Sequence, residues 1–293
     1  MLNDGFISHN SYLNINKMYI DSHQHFWIFN ASRDAWITDE MAAIRQNFLP
    51  TDLASVLKSN GIDGTIAVQA SQTHEETQFL VDLSSMYAMI KGIVGWVDLQ
   101  SAEIDQHLQH FGRYPIIKGF RHVIEAEEDP DFLTRPAFLK GIRALTKYNY
   151  TYDLLIRPRH YSSTLACVAE NPTQRFVLDH MAKPSIREKA FDEWAAFIEK
   201  LAVFPNVFCK VSGLVTEADW ANWKVDDFKH YIQHVIACFG KERIMFGTDW
   251  PVCLVAATYE DVMTIAKSAL IGFSDEEQRA FWGGNAAQFY NIK

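Results

Sequence analysis

Short apolar segments alternate with amphipathic stretches along the 293 residues, and this alternation predicts an α/β protein that folds as a single (β/α)8 TIM barrel. Continuous apolar strands separated by helices are typical of a parallel sheet covered on both faces. The length fits eight such units in one domain. A doubly wound open sheet is the alternative, but it usually carries a glycine-rich loop after its first strand, and this sequence has none there.

The predicted strands are apolar and rich in β-branched residues, and a helical pattern follows each of them. The first strand begins at 18–20, and the others are expected at 64–69, 92–98, 116–122, 151–156, 175–180, 206–212 and 243–249. Helices are expected at 51–60, 75–90, 103–111, 135–148, 161–170, 187–204 and 225–239, and two more close the chain.

Local signals support several of these boundaries. Thr51 is a suitable N-cap for the first helix, which stops at Asn60-Gly61. The helix at 187–204 carries Trp194 and its apolar neighbours at helical spacing, which indicates a core-facing stripe. The last helix begins with a capping box at Ser274. The long segment 28–47 after the first strand is more than a plain connection, and we interpret it as part of a lid.

Composition excludes several classes of partner. A net charge of −9 and a pI near 5.6 argue against nucleic acid and against an anionic membrane surface. No apolar run reaches the roughly 18 residues that span a bilayer. The four cysteines form no Cys-x-x-Cys pair, which indicates a reduced, cytoplasmic protein.

Residues 1–17 lack the charged start and apolar centre of a signal peptide. We interpret them as an N-terminal extension that precedes a barrel domain at 18–293. Met18, directly before the first strand, is an alternative start of translation to Met1. The sequence does not indicate an oligomeric state.

Polar residues at the carboxyl ends of the predicted strands are the main functional signal, because this end of a (β/α)8 barrel carries the active site. His23 and His25 share one strand face, since side chains alternate along a strand. His180 and Asp249 follow the sixth and eighth strands. On the same alternation, Asp179 faces away and leaves His180 alone at the mouth. Each residue has a structural alternative, such as a packed histidine or an aspartate that caps a turn.

Other strand ends supply candidate substrate contacts. Gln69 is a neutral hydrogen-bonding group, Arg121 is the favoured substrate contact, and His122 lies close behind it. Trp27 and Trp250 each follow a site residue, and each is either a sugar-stacking wall or a core aromatic. The remaining strand-end polar residues are Asp98, Arg157, Lys210 and Ser212, and Glu217 in the loop after the seventh strand is a weaker candidate.

Together these residues resemble the amidohydrolase superfamily, in which a His-x-His pair, a later histidine and an aspartate end separate barrel strands. The resemblance is closer to the branch of sugar-lactone hydrolases that are similar to L-fuconolactonase and L-rhamnono-lactonase. It covers nearly all of 18–293 in order, in the segments 21–27, 48–53, 61–65, 75–80, 95–99, 119–122, 152–155, 177–184, 209–218 and 245–253.

The resemblance implies hydrolysis of a sugar-acid lactone, L-fucono-lactone or a related aldonolactone, with Asp249 as the general base that activates water. His23, His25 and His180 would surround the lactone carbonyl, directly or through one divalent ion held with Asp249. Lys118 and Lys210 lie within strands, so no strand-end lysine is placed to bridge two metals. The implied cofactor is therefore either none or one Zn²⁺.

The sequence is also compatible with two other functions. One is a metal-dependent decarboxylase or amide hydrolase of the same superfamily. The other is a barrel that binds a sugar acid without turning it over, in which Asp249 would be dispensable. Neither the stereochemistry nor the ring size of the lactone follows from the sequence.

Overall fold

The computed structural model describes residues 18–292, and its central element is one eight-stranded sheet whose strands lie side by side in chain order. All seven strand pairs are parallel, so the predicted (β/α)8 barrel is confirmed. The strands are β1 Ile20–Gln24, β2 Gly64–Val68, β3 Ile90–Gly95, β4 Ile117–His122, β5 Thr151–Leu154, β6 Phe176–Leu178, β7 Val207–Val211 and β8 Ile244–Phe246. The predicted extension at 1–17 lies outside the described residues.

Helices connect successive strands and cover the outside of the sheet. They are α1 Pro50–Asn60, α2 His74–Met86, α3 Ile104–Phe111, α4 Pro136–Lys147, α5 Tyr161–Glu170, α6 Asp192–Ala202, α7 Val225–Phe239 and α8 Tyr259–Ala269, followed by α9 Asp275–Arg279 and α10 Asn285–Phe289. Within residues 18–292, no helix has the length and apolarity needed to cross a membrane.

The barrel closes where the chain leaves β8 and meets β1. The amide of Asp249 donates to the carbonyl oxygen of His23 at 2.8 Å, and the amide of His25 donates to the carbonyl oxygen of Trp250 at 2.7 Å. These two hydrogen bonds form a seam between the two ends of the sheet. The seam lies at the carboxyl ends of both strands, where a barrel of this kind carries its functional groups.

Asp21 braces this seam from inside the protein. Its buried carboxylate accepts hydrogen bonds from the amide of Thr248 at 3.0 Å, the hydroxyl of Thr248 at 2.5 Å and the hydroxyl of Tyr259 at 3.1 Å. Burial raises the pKa of Asp21 to about 6 even though these hydrogen bonds favour the charged form. The turn that carries Asp249 is therefore tied to the first strand.

The end of the chain fills the part of the barrel that lies opposite the carboxyl ends of the strands. Phe289, Tyr290 and Ile292 pack against the inward-facing apolar side chains of the strands, which include Ile20, Ile66, Val94, Val177 and Met245. The hydroxyl of Tyr290 donates to the Asp153 carboxylate on β5 at 2.8 Å. The last helix thus plugs the barrel and contributes a polar contact to its interior.

Several predicted boundaries were wrong, each for a local reason. The helix expected at 187–204 begins only at Asp192, because Lys189 takes a left-handed backbone and Ser185 bridges to Ala190 in a turn. The helix expected at 75–90 ends at Met86, since Ile90 already pairs with β2.

The sixth and eighth strands are shorter than predicted because the chain turns sharply after each of them. β6 ends at Leu178, and the chain becomes left-handed at His180. β8 ends at Phe246, and the amide of Thr248 bonds the Asp21 side chain instead of a neighbouring strand.

Gly283 lies where the π-helical turn before α10 passes β1, and a Cβ there would overlap the carbonyl oxygen of Met18. We predict that Gly283→Ala lowers the free energy of unfolding by about 1–3 kcal/mol, the usual cost of overpacking. Urea denaturation measures this difference.

Gly284 provides the matched control, because a Cβ there has its nearest neighbour at 3.5 Å and the residue is helical. Gly284→Ala should leave stability unchanged or raise it by up to about 1 kcal/mol. A Gly283→Ala variant as stable as Gly284→Ala would contradict the packing of this turn on β1.

Candidate active site

Four residues predicted from strand ends converge at the seam of the barrel. The Nε2 atoms of His23 and His25 are 3.2 Å apart, and His25 Nε2 lies 3.2 Å from Asp249 Oδ1. The Nε2 atoms of His23 and His180 each lie 3.8 Å from the same carboxylate oxygen. All four side chains are at most 6% exposed. The structure thus brings the predicted histidines and aspartate into one buried cluster.

The backbone orients two of these side chains through left-handed conformations. Asp249 has a φ of 62°, and His180 begins a run of four left-handed residues that ends at Lys183. Each such non-glycine residue costs about 1–2 kcal/mol, so the surrounding structure must hold the run in place. One restraint is the Trp194 indole, which donates to the carbonyl oxygen of Met181 at 2.6 Å.

This turn overturns the expectation that Asp179 faces away from the site. The strand has already ended at Leu178, so the alternation of a strand no longer applies to Asp179 and His180. Asp179 Oδ1 lies 3.3 Å from His23 Nδ1, while His180 Nε2 faces Asp249. Asp179 therefore contacts the cluster to which His180 belongs.

Hydrogen bonds to the rings show which nitrogens face the centre as acceptors. His25 Nδ1 lies 2.8 Å from the carbonyl oxygen of Val68, which can only accept, so Nδ1 carries the hydrogen and Nε2 of the neutral ring is an acceptor. Arg121 Nη1 lies 3.2 Å from His23 Nε2, and because a guanidinium only donates, this nitrogen is also an acceptor. Two imidazole nitrogens without a hydrogen and a carboxylate oxygen of Asp249 thus converge, and a cation between them would take the place of Arg121 at His23 Nε2.

One divalent ion fits this converging set. His23, His25 and Asp249 offer ligand atoms that lie within 4.8 Å of one another. Nitrogen and oxygen ligands at tetrahedral zinc lie about 2.0–2.1 Å from the ion and hence about 3.4 Å apart. The separations of 3.2, 3.2 and 3.8 Å lie close to that value. The donor set is therefore consistent with the predicted optional Zn²⁺.

Burial determines the charge of the cluster. It lowers the pKa of His23 and His180 well below the usual value, so both rings are neutral near pH 7. Burial also raises the pKa of Asp249, but the neighbouring His180 and His25 outweigh it and bring the pKa below its usual value. Asp249 is thus an ionised carboxylate surrounded by imidazoles.

Beneath the cluster lies a buried charge layer, which we define as Asp153, Asp179 and Lys210. Lys210 Nζ lies 2.5 Å from Asp153 Oδ2, 3.0 Å from Asp179 Oδ1 and 3.1 Å from His23 Nδ1. All three side chains of the layer are fully buried. The layer holds the inner edge of the His23 ring, so that its Nε2 points toward Asp249.

The two carboxylates of this layer differ in their pKa. Burial raises the pKa of Asp153 to about 6, although the charge of Lys210 opposes this. At Asp179 the charge of Lys210 and the hydrogen bond from His23 outweigh burial, and the pKa falls well below its usual value. Asp179 is therefore the carboxylate that pairs with Lys210 and accepts from the His23 ring.

Arg121 and Gln69 lie at the edge of the cluster and hold each other. Arg121 Nη1 donates to Asp179 Oδ2 at 3.1 Å, and its Nη2 donates to the carbonyl oxygen of Gln69 at 2.6 Å. The side-chain amide of Gln69 donates in turn, through Nε2, to the backbone carbonyl oxygen of Arg121 at 3.2 Å. Both residues are buried, and Arg121 lies next to His23. Their predicted contact with substrate remains a prediction.

His122 points away from the cluster, as strand alternation from Arg121 requires. Its Nε2 lies 2.8 Å from Glu127 Oε1, and its ring stacks on Phe132 at 4.9 Å. The Trp96 indole contacts its other nitrogen at 3.4 Å. The structure thus places His122 among outer loop residues, and no contact joins it to the histidine cluster.

The indoles of Trp27 and Trp250 are 2% and 3% exposed, so they offer little ring surface to a sugar. Both pack edge-on against Phe48, at 5.6 and 5.2 Å between ring centres. The Trp27 ring also lies 6.4 Å from that of His25. This geometry favours the core alternative for both tryptophans, and their predicted contact with a sugar remains a prediction.

The sequence interpretation missed the charge layer. Lys210 was noted as a polar residue near a strand end, but its partner Asp153 lies inside β5 and was not. An ionisable residue inside an otherwise apolar strand is costly unless it is paired, and Asp153 and Lys210 carry opposite charges. Two residues of opposite charge inside apolar strands were therefore the sequence feature that could have predicted the charge layer.

We predict that Lys210→Met lowers the free energy of unfolding by about 3–5 kcal/mol, because it leaves two carboxylates buried without their common cation. Urea denaturation measures the loss. Lys200→Met, on the exposed face of α6, is the control and should stay within about 0.5 kcal/mol of the wild type. A Lys210→Met variant as stable as this control would contradict the ionic character of the layer.

Comparisons with known proteins agree with the fold and the site. L-fucono-1,5-lactonases from Burkholderia multivorans and Burkholderia ambifaria are 37% and 35% identical to this chain; both alignments cover 93% of it, and 96% and 95% of the relatives. A crystal structure of an amidohydrolase from Burkholderia multivorans with bound zinc superposes with a TM-score of 0.92 at 35% identity. That superposition covers 94% of this chain and all of the other.

The family model described as Amidohydrolase matches residues 20–292, which include every strand of the barrel and all four residues of the buried cluster. This match spans nearly the whole chain, and it agrees with the resemblance that the strand-end residues indicated. The chain belongs to the amidohydrolase family.

Proposed function

We propose that this protein hydrolyses a sugar-acid lactone to the free aldonic acid, with L-fucono-1,5-lactone or a close stereoisomer as the substrate. The observation that carries the proposal is the convergence of three imidazole Nε2 atoms on the Asp249 carboxylate at the seam of the barrel. The two Burkholderia relatives that bear the name L-fucono-1,5-lactonase support this substrate class.

Asp249 is the proposed general base. Its pKa lies below the usual value, so it is ionised at neutral pH and can take a proton from a water molecule beside Oδ1. The water attacks the lactone carbonyl, and the protonated carboxyl then returns its proton to the ring oxygen that leaves. A lactone is an activated ester, so a weak carboxylate base suffices for this substrate.

His180 is the proposed donor to the oxyanion of the tetrahedral intermediate. Its Nδ1 lies 2.9 Å from the hydroxyl of Ser212, and if this hydroxyl donates, Nε2 carries the hydrogen and faces Asp249. A neutral imidazole N–H placed there in advance stabilises developing negative charge by about 2.7–4 kcal/mol. Ser212 is then the residue that sets the tautomer of His180.

His23, His25 and Asp249 are the residues that would hold one Zn²⁺, which would polarise the lactone carbonyl as a Lewis acid. Without an ion, the same residues would act on the lactone carbonyl directly. The zinc-containing relative supports the first arrangement for this chain. In both arrangements the charge layer keeps His23 Nε2 directed at the reaction centre.

The cellular setting is also part of the proposal. All four cysteines are free thiols and three of them are buried, which supports the reduced, cytoplasmic location expected from the sequence. The buried cluster suits a small-molecule substrate. The division into an extension at 1–17 and a barrel domain at 18–293 is retained as the proposed domain organisation.

A pH-stat assay with a panel of six-carbon aldonolactones tests this function directly. We expect acid release well above the rate in buffer alone, fastest with L-fucono-1,5-lactone or one of its stereoisomers. Release at the buffer rate from every lactone in the panel, by folded protein assayed with and without added Zn²⁺, would reject the proposal.

Replacing Asp249 by asparagine removes the base and keeps the shape of the side chain. We expect Asp249→Asn to lower kcat at least about a hundredfold, the lower range for a general base. Initial-rate kinetics on the best lactone of the panel measure the loss.

Asp98→Asn is the matched control, because Asp98 also follows a strand of the barrel but is exposed and accepts from the amide of Gln100 at 2.9 Å. Its turnover should stay within about twofold of the wild type, since surface substitutions away from the site rarely matter. Turnover near the wild-type rate in Asp249→Asn would remove Asp249 from its role.

A further inference from the structure

Four charged side chains form a network at the carboxyl end of the barrel, one from each loop that follows β4, β5, β6 and β7. We define them as the rim quartet: Glu125, Arg157, Lys183 and Glu217. Lys183 Nζ lies 2.7 Å from Glu125 Oε2 and 4.0 Å from Glu217 Oε1. Arg157 lies 3.1 Å from Glu125 and 2.8 Å from Glu217. Positive and negative groups thus alternate, and each cation contacts both carboxylates.

The rim quartet borders the buried cluster. Lys183 is the last residue of the left-handed turn that begins with His180, so one rigid segment carries both side chains. The charge of Lys183 acts on the pKa of His180 and of Asp249, and the charge of Arg121 acts on that of Glu125. The quartet therefore lies close to the reaction centre, on the side of the barrel formed by four consecutive strands.

The quartet is held in place by the backbone around it. The side chain of Arg159 donates to the carbonyl oxygen of Glu125 at 2.7 Å and so ties the loop after β4 to the loop after β5. The amide of Arg187 donates to the carbonyl oxygen of Glu217 at 2.9 Å and ties the loops after β6 and β7. Groups fixed in this way lose little conformational freedom when a ligand binds.

The four side chains are neither fully buried nor free in solvent. Their exposed fractions run from 13% for Glu217 to 37% for Arg157, which leaves polar surface at the mouth of the barrel. Two positive and two negative charges give the quartet a net charge of zero. A carboxylate accepts a hydrogen bond from a hydroxyl, while a guanidinium or an ammonium donates one to it.

We propose that the rim quartet is the specificity determinant of the site and binds the hydroxyl groups of a neutral, polyhydroxylated lactone ring. Each hydroxyl both donates and accepts, so it matches an alternating row of carboxylates and cations. A lactone that carries carboxylates would instead need cations without paired acids, and the quartet supplies none. This assignment rests on the proposed lactonase function and names the substrate feature that the enzyme reads.

Glu217→Gln tests the assignment, because it keeps the size of the side chain and leaves the quartet with a net positive charge. With L-fucono-1,5-lactone we expect KM to rise about 10- to 100-fold, the effect of losing a hydrogen bond to a charged group, while kcat stays within about threefold. For galactarate, a dianionic sugar acid used as a competitive inhibitor, we expect the inhibition constant to fall.

The opposite signs for the neutral and the anionic ligand separate recognition from structural damage, which weakens both. Glu277→Gln is the control, because Glu277 pairs with Lys241 at 2.8 Å on the outside of the barrel and should leave both constants unchanged. An unchanged KM in Glu217→Gln, a loss confined to kcat, or weaker binding of both ligands would overturn the assignment. If the wild-type protein hydrolyses no aldonolactone, the proposed function fails first, and the assignment fails with it.

Discussion

The closure of the barrel is the constraint on which the site depends. Two backbone hydrogen bonds join β1 to the segment after β8, and they are made by His23, His25, Asp249 and Trp250. The residues that close the sheet are thus largely the residues that face its mouth. Because Asp21 ties Thr248 to the first strand, the position of the Asp249 carboxylate relative to the two imidazoles is fixed by the fold itself. A change that opens the seam between β1 and β8 would therefore also displace the side chains of the buried cluster.

Charge is arranged in levels around this seam. At the inner level, Lys210 lies between Asp153 and Asp179 without exposure to water, and it orients His23. Tyr290, from the end of the chain, reaches the same level and completes it from below. The rim quartet forms the outer level, with balanced charges and partial exposure. The reaction centre thus has a rigid ionic base and a polar entrance, which suits an enzyme that positions one small polar ring for attack by water.

The sequence alone predicted the barrel and the central cluster, because each depends on local patterns. His23, His25 and Asp249 follow apolar strands, where a polar residue is unusual. The roles of Asp153 and Lys210 depend on partners 57 positions apart, which no local pattern reveals. Asp179 was predicted on the wrong side of the chain, because the left-handed turn at His180 contains no glycine that would indicate such a turn in the sequence. The sequence did not decide between a sugar-stacking wall and a core aromatic for Trp27 and Trp250. Their burial depends on how the segment 28–47 packs around Phe48.

The most direct test of the central claim is a crystal structure of the Asp249→Asn variant with an unhydrolysed aldonolactone bound. The account predicts that the lactone carbonyl faces His23, His25 and His180, with the side chain at position 249 beside the carbonyl carbon and the ring hydroxyls directed toward the rim quartet. A lactone bound with its carbonyl away from the three imidazoles, or outside the mouth of the barrel, would contradict it.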